Sequence, residues 1–189
     1  MRVLFFIAMA LAATLAAQEP PKSGIAPNDE FIHKQFGASC SLNSTVAPIA
    51  ADLNGDGIQD IVIPARCKDP MMDAGDNHYV VLDPYNAFYG FGDPRVTTQF
   101  ATADPANRDL MLLIIHGAGP QGWRADEPKE KFLIVNLPYK QIQVKRLSLN
   151  KKKSVMAVYS IESGQDQMTS AIFWDGKKYK YQPMGSSMQ

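Results

Sequence analysis

Net charge is the first thing missing. The 189 residues carry 19 Lys and Arg against 19 Asp and Glu, so no bulk field draws the chain to nucleic acid or to an acidic surface. Recognition must be local. Histidine is scarce too: His33, His78 and His116 are the only three, and no two stand at the i, i+4 spacing that puts a zinc pair on one helix face. Cysteine is scarcer, with Cys40 and Cys67 alone, which leaves room for one disulfide or two free thiols. The long apolar run, from Val3 through Leu11, is too short and too Ala-rich at its end for a membrane span. Helical periodicity is nearly absent, and internal repeats are not found.

What is present begins at that N-terminal run. Met1-Arg2, the apolar stretch and the small residues Ala16 and Ala17 read as a secretory signal peptide over 1–17, with an uncleaved anchor as the alternative. No Cys follows the small residues, so a lipid anchor is not signalled. Residues 18–27 carry Pro20, Pro21, Gly24 and Pro27 and read as a flexible lead-in. Residues 28–189 then form a single β domain, secreted or periplasmic, with no stable membrane span after signal cleavage. An oxidising compartment lets thiols pair. A Cys40–Cys67 bridge would stabilise the fold by about 3.5 kcal/mol through loss of unfolded-state entropy; two free thiols would need a reducing compartment.

One helix is expected. Asn28 can cap a helix over 29–36, Asp29 and Glu30 suit its first turn, and Gly37 ends it. The rest reads as about nine short strands. They fall at 46–51, 59–65, 78–82, 96–100, 110–115, 132–137, 141–149, 155–161 and 168–174, with 178–181 closing a last hairpin through Asp175-Gly176. Residues 110–115 are apolar at every position, which implies a strand buried on both faces. Asn136-Leu137-Pro138-Tyr139, the 150–153 segment and the 162–165 segment read as hairpin connections. The fold class is therefore all-β, built of antiparallel hairpins or a meander with one short N-terminal helix.

The most specific stretch is Asp52-Leu53-Asn54-Gly55-Asp56-Gly57-Ile58-Gln59-Asp60, followed by Ile61-Val62-Ile63. It offers side-chain oxygens at positions 1, 3, 5 and 9 with a glycine at 6, which is hard-cation chemistry. Three carboxylates this close repel one another, and a divalent ion removes that repulsion. The EF-hand's Glu at position 12 is missing, since Ile63 stands there, and a β-branched run follows where a helix would be. This form resembles the calcium loop of FG-GAP and VCBS repeat proteins, the blades of integrin-type propellers. The resemblance implies calcium as cofactor, side-chain ligands Asp52, Asn54, Asp56 and Asp60, and the Ile58 carbonyl as backbone ligand. It covers about 15 residues, in one copy, and the chain is short for a closed ring of blades. A small partial array of blade-like sheets and a sandwich bearing the metal hairpin are both open. So is an Asp/Asn/Gly hairpin turn that binds nothing.

Other constellations are weaker. Ile114-Ile115-His116-Gly117-Ala118-Gly119 looks like the His-Gly oxyanion loop of esterases, which would make His116 part of a hydrolase site. The nucleophile elbow that must follow is absent, the nearest match being Gly37-Ala38-Ser39-Cys40-Ser41 upstream. Tyr85, Phe88, Tyr89 and Phe91 could form a platform for carbohydrate or peptide, or be core. Lys151-Lys152-Lys153 reads as a solvated hairpin tip. The leading expectation is an exported, non-catalytic β-protein with a structural calcium loop, serving an extracellular or periplasmic protein or glycan. The aromatic platform and a His116 hydrolase are the alternatives.

Overall fold

The computed structural model describes residues 26–96, 109–162 and 168–185, the side chain of Phe91 excepted. The expected signal peptide over 1–17, most of the expected lead-in and the strand expected over 96–100, Val96 apart, lie outside the described residues.

Helix α1, Asp29–Phe36, forms as the local signals dictate. The Asn28 side chain accepts the Phe31 N–H at 2.9 Å, and Gly37 ends the helix at φ 87° with its N–H donated to the His33 carbonyl. Its buried face carries Ile32, Gln35 and Phe36.

Among the described residues ten strands follow: β1 Cys40–Leu42, β2 Ile49–Ala51, β3 Asp60–Cys67, β4 Val80–Leu82, β5 Leu110–His116, β6 Glu130–Ile134, β7 Gln141–Ser148, β8 Ser154–Ile161, β9 Ser170–Trp174 and β10 Tyr179–Pro183. They make two open sheets. One has six strands in the order β1-β3-β5-β6-β4, with β2 also on β3; the other is a four-stranded meander, β10-β9-β8-β7.

Alternation along the strands builds three layers. On β5, Met111, Leu113 and Ile115 face a core shared with Ile32 and Phe36 of α1, while Leu112 and Ile114 face the second sheet. Val62, Phe132 and Ile134 of the first sheet meet Ile142, Val158, Ile172 and Tyr179 of the second in that inter-sheet core. The two-sided burial expected of 110–115 is thus observed. Each fully buried Leu or Ile contributes about 1.5–3 kcal/mol, so β5 supports both cores, as do β3 and β6 with residues in each. The sheets stack as a sandwich and neither closes on itself, which settles the fold against a ring of blades.

Three expectations are corrected. Strands β6 and β7 do not form a hairpin, because 136–139 carries the chain from one sheet to the other. Leu137 and Tyr139 are buried on the way, and the Tyr139 hydroxyl lies 3.0 Å from the Met111 carbonyl and 3.2 Å from that of Ala65. Strand β4 pairs with β6 in parallel, against the antiparallel rule of every other pair. A second helical segment joins the one helix expected: α2, Pro84–Asn86, runs into a π-helical turn, Ala87–Phe91.

Cys40 and Cys67 stand directly opposite one another on β1 and β3 and are joined as a disulfide. Among the described residues no helix is long and apolar enough to cross a membrane.

Candidate functional site

The acidic loop is the tip of the β2–β3 hairpin, where Ala51 pairs with Asp60. Its side chains fold onto its own backbone. Asp52 accepts the N–H groups of Gly55 at 2.7 Å and Gly57 at 2.9 Å, Asn54 accepts that of Asp56 at 2.9 Å, and Asp56 accepts that of Ile58 at 2.9 Å. Such Asx turns need left-handed backbone between them, and Gly55 and Gly57 supply it at φ 79° and 82°. Open space surrounds both glycines, so backbone angle and not crowding demands them.

Asp60 does something different from its loop neighbours. It is fully buried; one oxygen accepts the N–H of Leu53 at 2.8 Å and of Asn54 at 3.3 Å, the other the N–H of Gly117 at 2.9 Å. Burial pushes its pKa up, against the pull of those three N–H donors. The carboxylate therefore latches the base of the hairpin to the end of β5. Gly117 has no room for a side chain there, since a Cβ would run into the Gln59 carbonyl and the Gly122 backbone. Leu53, beside the latch, is anchored in the inter-sheet core.

His116 lies next to this latch and is completely buried. Its Nε2 is 2.8 Å from the Tyr179 hydroxyl and its Nδ1 is 3.4 Å from Glu130. Tyr179 donating to Nε2 assigns the ring proton to Nδ1, which then faces the Glu130 carboxylate. The rings of Phe132, Trp174 and Tyr179 surround it at centroid distances of 5.1, 5.0 and 5.8 Å. Burial holds its pKa below the ordinary value, outweighing Asp60 and Glu130, and burial raises that of Tyr179 well above its own. The Gly117 N–H that an oxyanion hole would use is engaged by Asp60. Cys40 of the nearest elbow match is in the disulfide. His116 is a packed structural histidine in this arrangement.

The loop fits a hard cation in donor type and in spare acceptor capacity. An ionised carboxylate accepts about four hydrogen bonds and an amide oxygen two; Asp52 uses two sites and the Asn54 oxygen one. Asp56 is also held by the Asn54 amide and by the Lys129 ammonium, each at 3.1 Å. Burial would raise its pKa, but the Ile58 N–H, Lys129 and Asn54 together hold it below the usual carboxylate value. Three carboxylates do not converge: among the described residues no group of three or more His, Cys, Asp or Glu side chains is arranged to hold a metal. The reason is visible in Asp60, turned inward to Gly117, and in Asp56, paired with Lys129.

The aromatic segment is the second candidate. Asp83 caps α2 by accepting the Asn86 N–H at 2.8 Å, and its own N–H donates to the Pro94 carbonyl at 2.7 Å, so 84–93 is an excursion pinned at its base. Large rings leave the protein there. Tyr85 is 40% exposed, Phe88 49% and Tyr89 59%. Tyr85 and Tyr89 lie 4.8 Å apart, and both pack with Phe88 around Tyr181 of β10, at 5.3 Å for Tyr85 and 5.6 Å for Phe88. Tyr181 was not among the residues singled out from sequence. Its signal was the alternation Tyr179-Lys180-Tyr181, which sets both tyrosines on one side of a strand. A concavity of about 250 Å³ opens beside these rings, bordered by Pro84, Phe88, Pro94, Lys178, Lys180 and Tyr181 among others. Phe91 ends the turn, its side chain outside the described part.

The fold and its two surface features define a disulfide-bridged β-sandwich with an acidic hairpin tip and an exposed aromatic turn. No family model, curated protein or solved structure matches the chain.

Proposed function

We propose that the protein is an exported, non-catalytic binding module that meets a secreted or periplasmic partner, a glycan or a protein, through the aromatic turn. The observation that carries this is the exposure of Tyr85, Phe88 and Tyr89 as one cluster. Exposed apolar residues scattered singly need no explanation, whereas a contiguous ring cluster marks an interaction surface. The signal-like N-terminus and the disulfide support export. The engagement of both His116 nitrogens and the Gly117 N–H supports a non-catalytic role. Panels of glycans and peptides presented to the wild-type protein and to the Y85A/Y89A double variant test this. The expected result is a ligand retained by wild type and lost by the variant at unchanged melting temperature. A ligand held equally by both would remove the turn from consideration.

The 52–60 hairpin we assign to a structural calcium ion. Asp52, Asn54, Asp56 and the Ile58 carbonyl would hold it, with Asp60 fixing the hairpin from beneath. The oxygen-only donor set and the spare acceptor sites on Asp52 and Asn54 support this reading. The ion's contribution is charge neutralisation and rigidity. At 100 times its dissociation constant it would add about 2.7 kcal/mol to stability. The test is calcium titrated into chelator-treated protein by calorimetry. Binding heat that Asp56→Ala abolishes is expected, and the absence of both heat and melting shift would end the assignment.

A further inference from the structure

We infer that the outer edge of β7 takes an extended acidic segment of a partner protein as an added strand. This surface is separate from the aromatic turn, which packs against β10 at the opposite edge of the same four-stranded sheet.

Charge is segregated along the chain although the total is zero. Residues 131–161 contain no Asp or Glu, and within them the β7–β8 hairpin and its approach hold Lys140, Lys145, Arg146, Lys151, Lys152 and Lys153. All six are exposed, and none makes an ion pair among the described residues. The pleat divides the two in mid-strand. Lys145 shares the outer face of the sheet with Leu147 and Ala157, and Arg146 shares the inner face with Val144 and Val158. With Lys140 at one end of the strand and 151–153 at the other, the cations follow the edge for about 25 Å at the usual rise per residue. A linear anion matches that track.

The backbone selects a peptide among linear anions. Strand β7 ends the sheet order, and its register with β8 runs from Gln141 opposite Ile161 to Ser148 opposite Ser154 without a bulge. The Leu149 N–H donates to the Lys153 carbonyl at 2.9 Å, which continues that register and sets the phase of the ladder. Bonded and unbonded residues alternate along an antiparallel strand, so Gln143, Lys145 and Leu147 bond to β8 while Val144, Arg146 and Ser148 present N–H and C=O to the open side. Those three N–H groups meet no acceptor among the described residues. No proline or glycine interrupts β7, so an added strand can use the whole row.

Other occupants match one feature and not the other. A second copy of β7 would set like charges against each other, the device by which lysines keep edges from self-pairing. An anionic membrane reaches one face of a strand, and the 150–153 tip has no apolar side chain to insert. A sulfated or phosphorylated polymer meets the charge and leaves the main-chain row unused. An acidic strand answers both, with carboxylates beside the cations on each face.

The test presents the intact protein with a Glu/Thr decapeptide whose glutamates stand in adjacent pairs, so that both faces of the added strand are acidic. A Gln/Thr counterpart removes the charge. Two further copies carry N-methyl groups on the odd or on the even backbone nitrogens, which keeps the charge and blocks one edge each. The acidic peptide is expected to bind about tenfold tighter than the Gln/Thr peptide, and K145Q/R146Q to lose most of that preference. Raising salt from 0.1 M to 1 M shrinks the screening length from about 10 Å to about 3 Å and should erase it. One methylated copy should bind like the parent and the other should not bind. Amide exchange should slow at Val144, Arg146 and Ser148 more than at Gln143, Lys145 and Leu147. Y85A/Y89A should bind the peptide like wild type. Equal binding of the acidic and Gln/Thr peptides would overturn the choice of an acidic partner. Equal binding of the two methylated copies, or unchanged exchange at the edge, would overturn strand addition. Dextran sulfate or phosphatidylglycerol vesicles held more tightly than the peptide through the same lysines would overturn the choice of a peptide. Loss of the peptide in Y85A/Y89A would move the site to the aromatic turn and overturn the inference, as would failure of the peptide to bind at all, which leaves the reading of that turn untouched.

Discussion

The 52–60 hairpin tip and the 84–91 turn are both excursions from short strands, yet they use their side chains in opposite senses. At the hairpin, polar groups turn back onto their own backbone: Asp52, Asn54 and Asp56 cap N–H groups, and Asp60 buries its charge to hold Leu53, Asn54 and Gly117. At the turn the backbone is closed by one buried cap, Asp83, and the apolar rings are sent outward. The difference separates two tasks. Side chains that satisfy buried backbone hold the fold, and side chains with no such duty are free to meet a partner.

Asp60→Ala should strike this contrast hardest. It strands three N–H donors, each worth about 1–3 kcal/mol when left unsatisfied, so urea unfolding should show a loss of about 3–5 kcal/mol. A loss under about 1 kcal/mol would mean the latch is replaceable by water. Replacing both cysteines by serine removes the crosslink between residues 27 apart, with an expected loss of about 3.5 kcal/mol. Calorimetric unfolding measures it, and ligand binding at the aromatic turn should persist in the folded fraction.

Acid should distinguish the two regions more gently. An unfolded chain protonates His116 near its ordinary value of 6.5, while burial keeps the folded histidine neutral to lower pH. Between those values the unfolded state binds more protons, so stability falls as pH falls, by at most about 1.4 kcal/mol per pH unit. Denaturant midpoints across pH 7 to 5 should drop accordingly, and the drop should flatten in His116→Gln. Tyr89→Ala should do least to the fold. Its ring is more than half exposed, so stability should change by no more than about 0.5 kcal/mol. A larger loss in thermal unfolding would make the turn part of the scaffold.

Legibility in the sequence follows the same division. Helix α1 was readable because its determinants are adjacent: the Asn28 cap, the acidic first turn and Gly37. The 110–115 run announced burial on both faces, and Asp175-Gly176 announced the β9–β10 hairpin, with Gly176 at φ 104°. The cysteine pairing followed from the signal-like N-terminus. What was not readable depends on partners distant in the chain. The turn residues at 136–139 suggested a hairpin, but Tyr139 is drawn between the sheets by carbonyls of Ala65 and Met111. The parallel β4–β6 pair needs a crossover that local pattern does not encode. At the hairpin the donor types were legible and their directions were not: Asp60 faces Gly117, 57 residues away, and Asp56 faces Lys129, 73 away. The aromatics were legible as residues, while their exposure and their grouping with Tyr181 came only from the fold.

Amide hydrogen exchange of the intact protein, with calcium and with chelator, bears most directly on the division between a hairpin that holds and a turn that binds. Calcium should slow exchange at Gly55, Gly57 and Ile58, whose N–H groups donate to Asp52 and Asp56, and leave 84–91 unchanged. Identical exchange across the hairpin in both conditions, or a calcium effect confined to the aromatic turn, would contradict it.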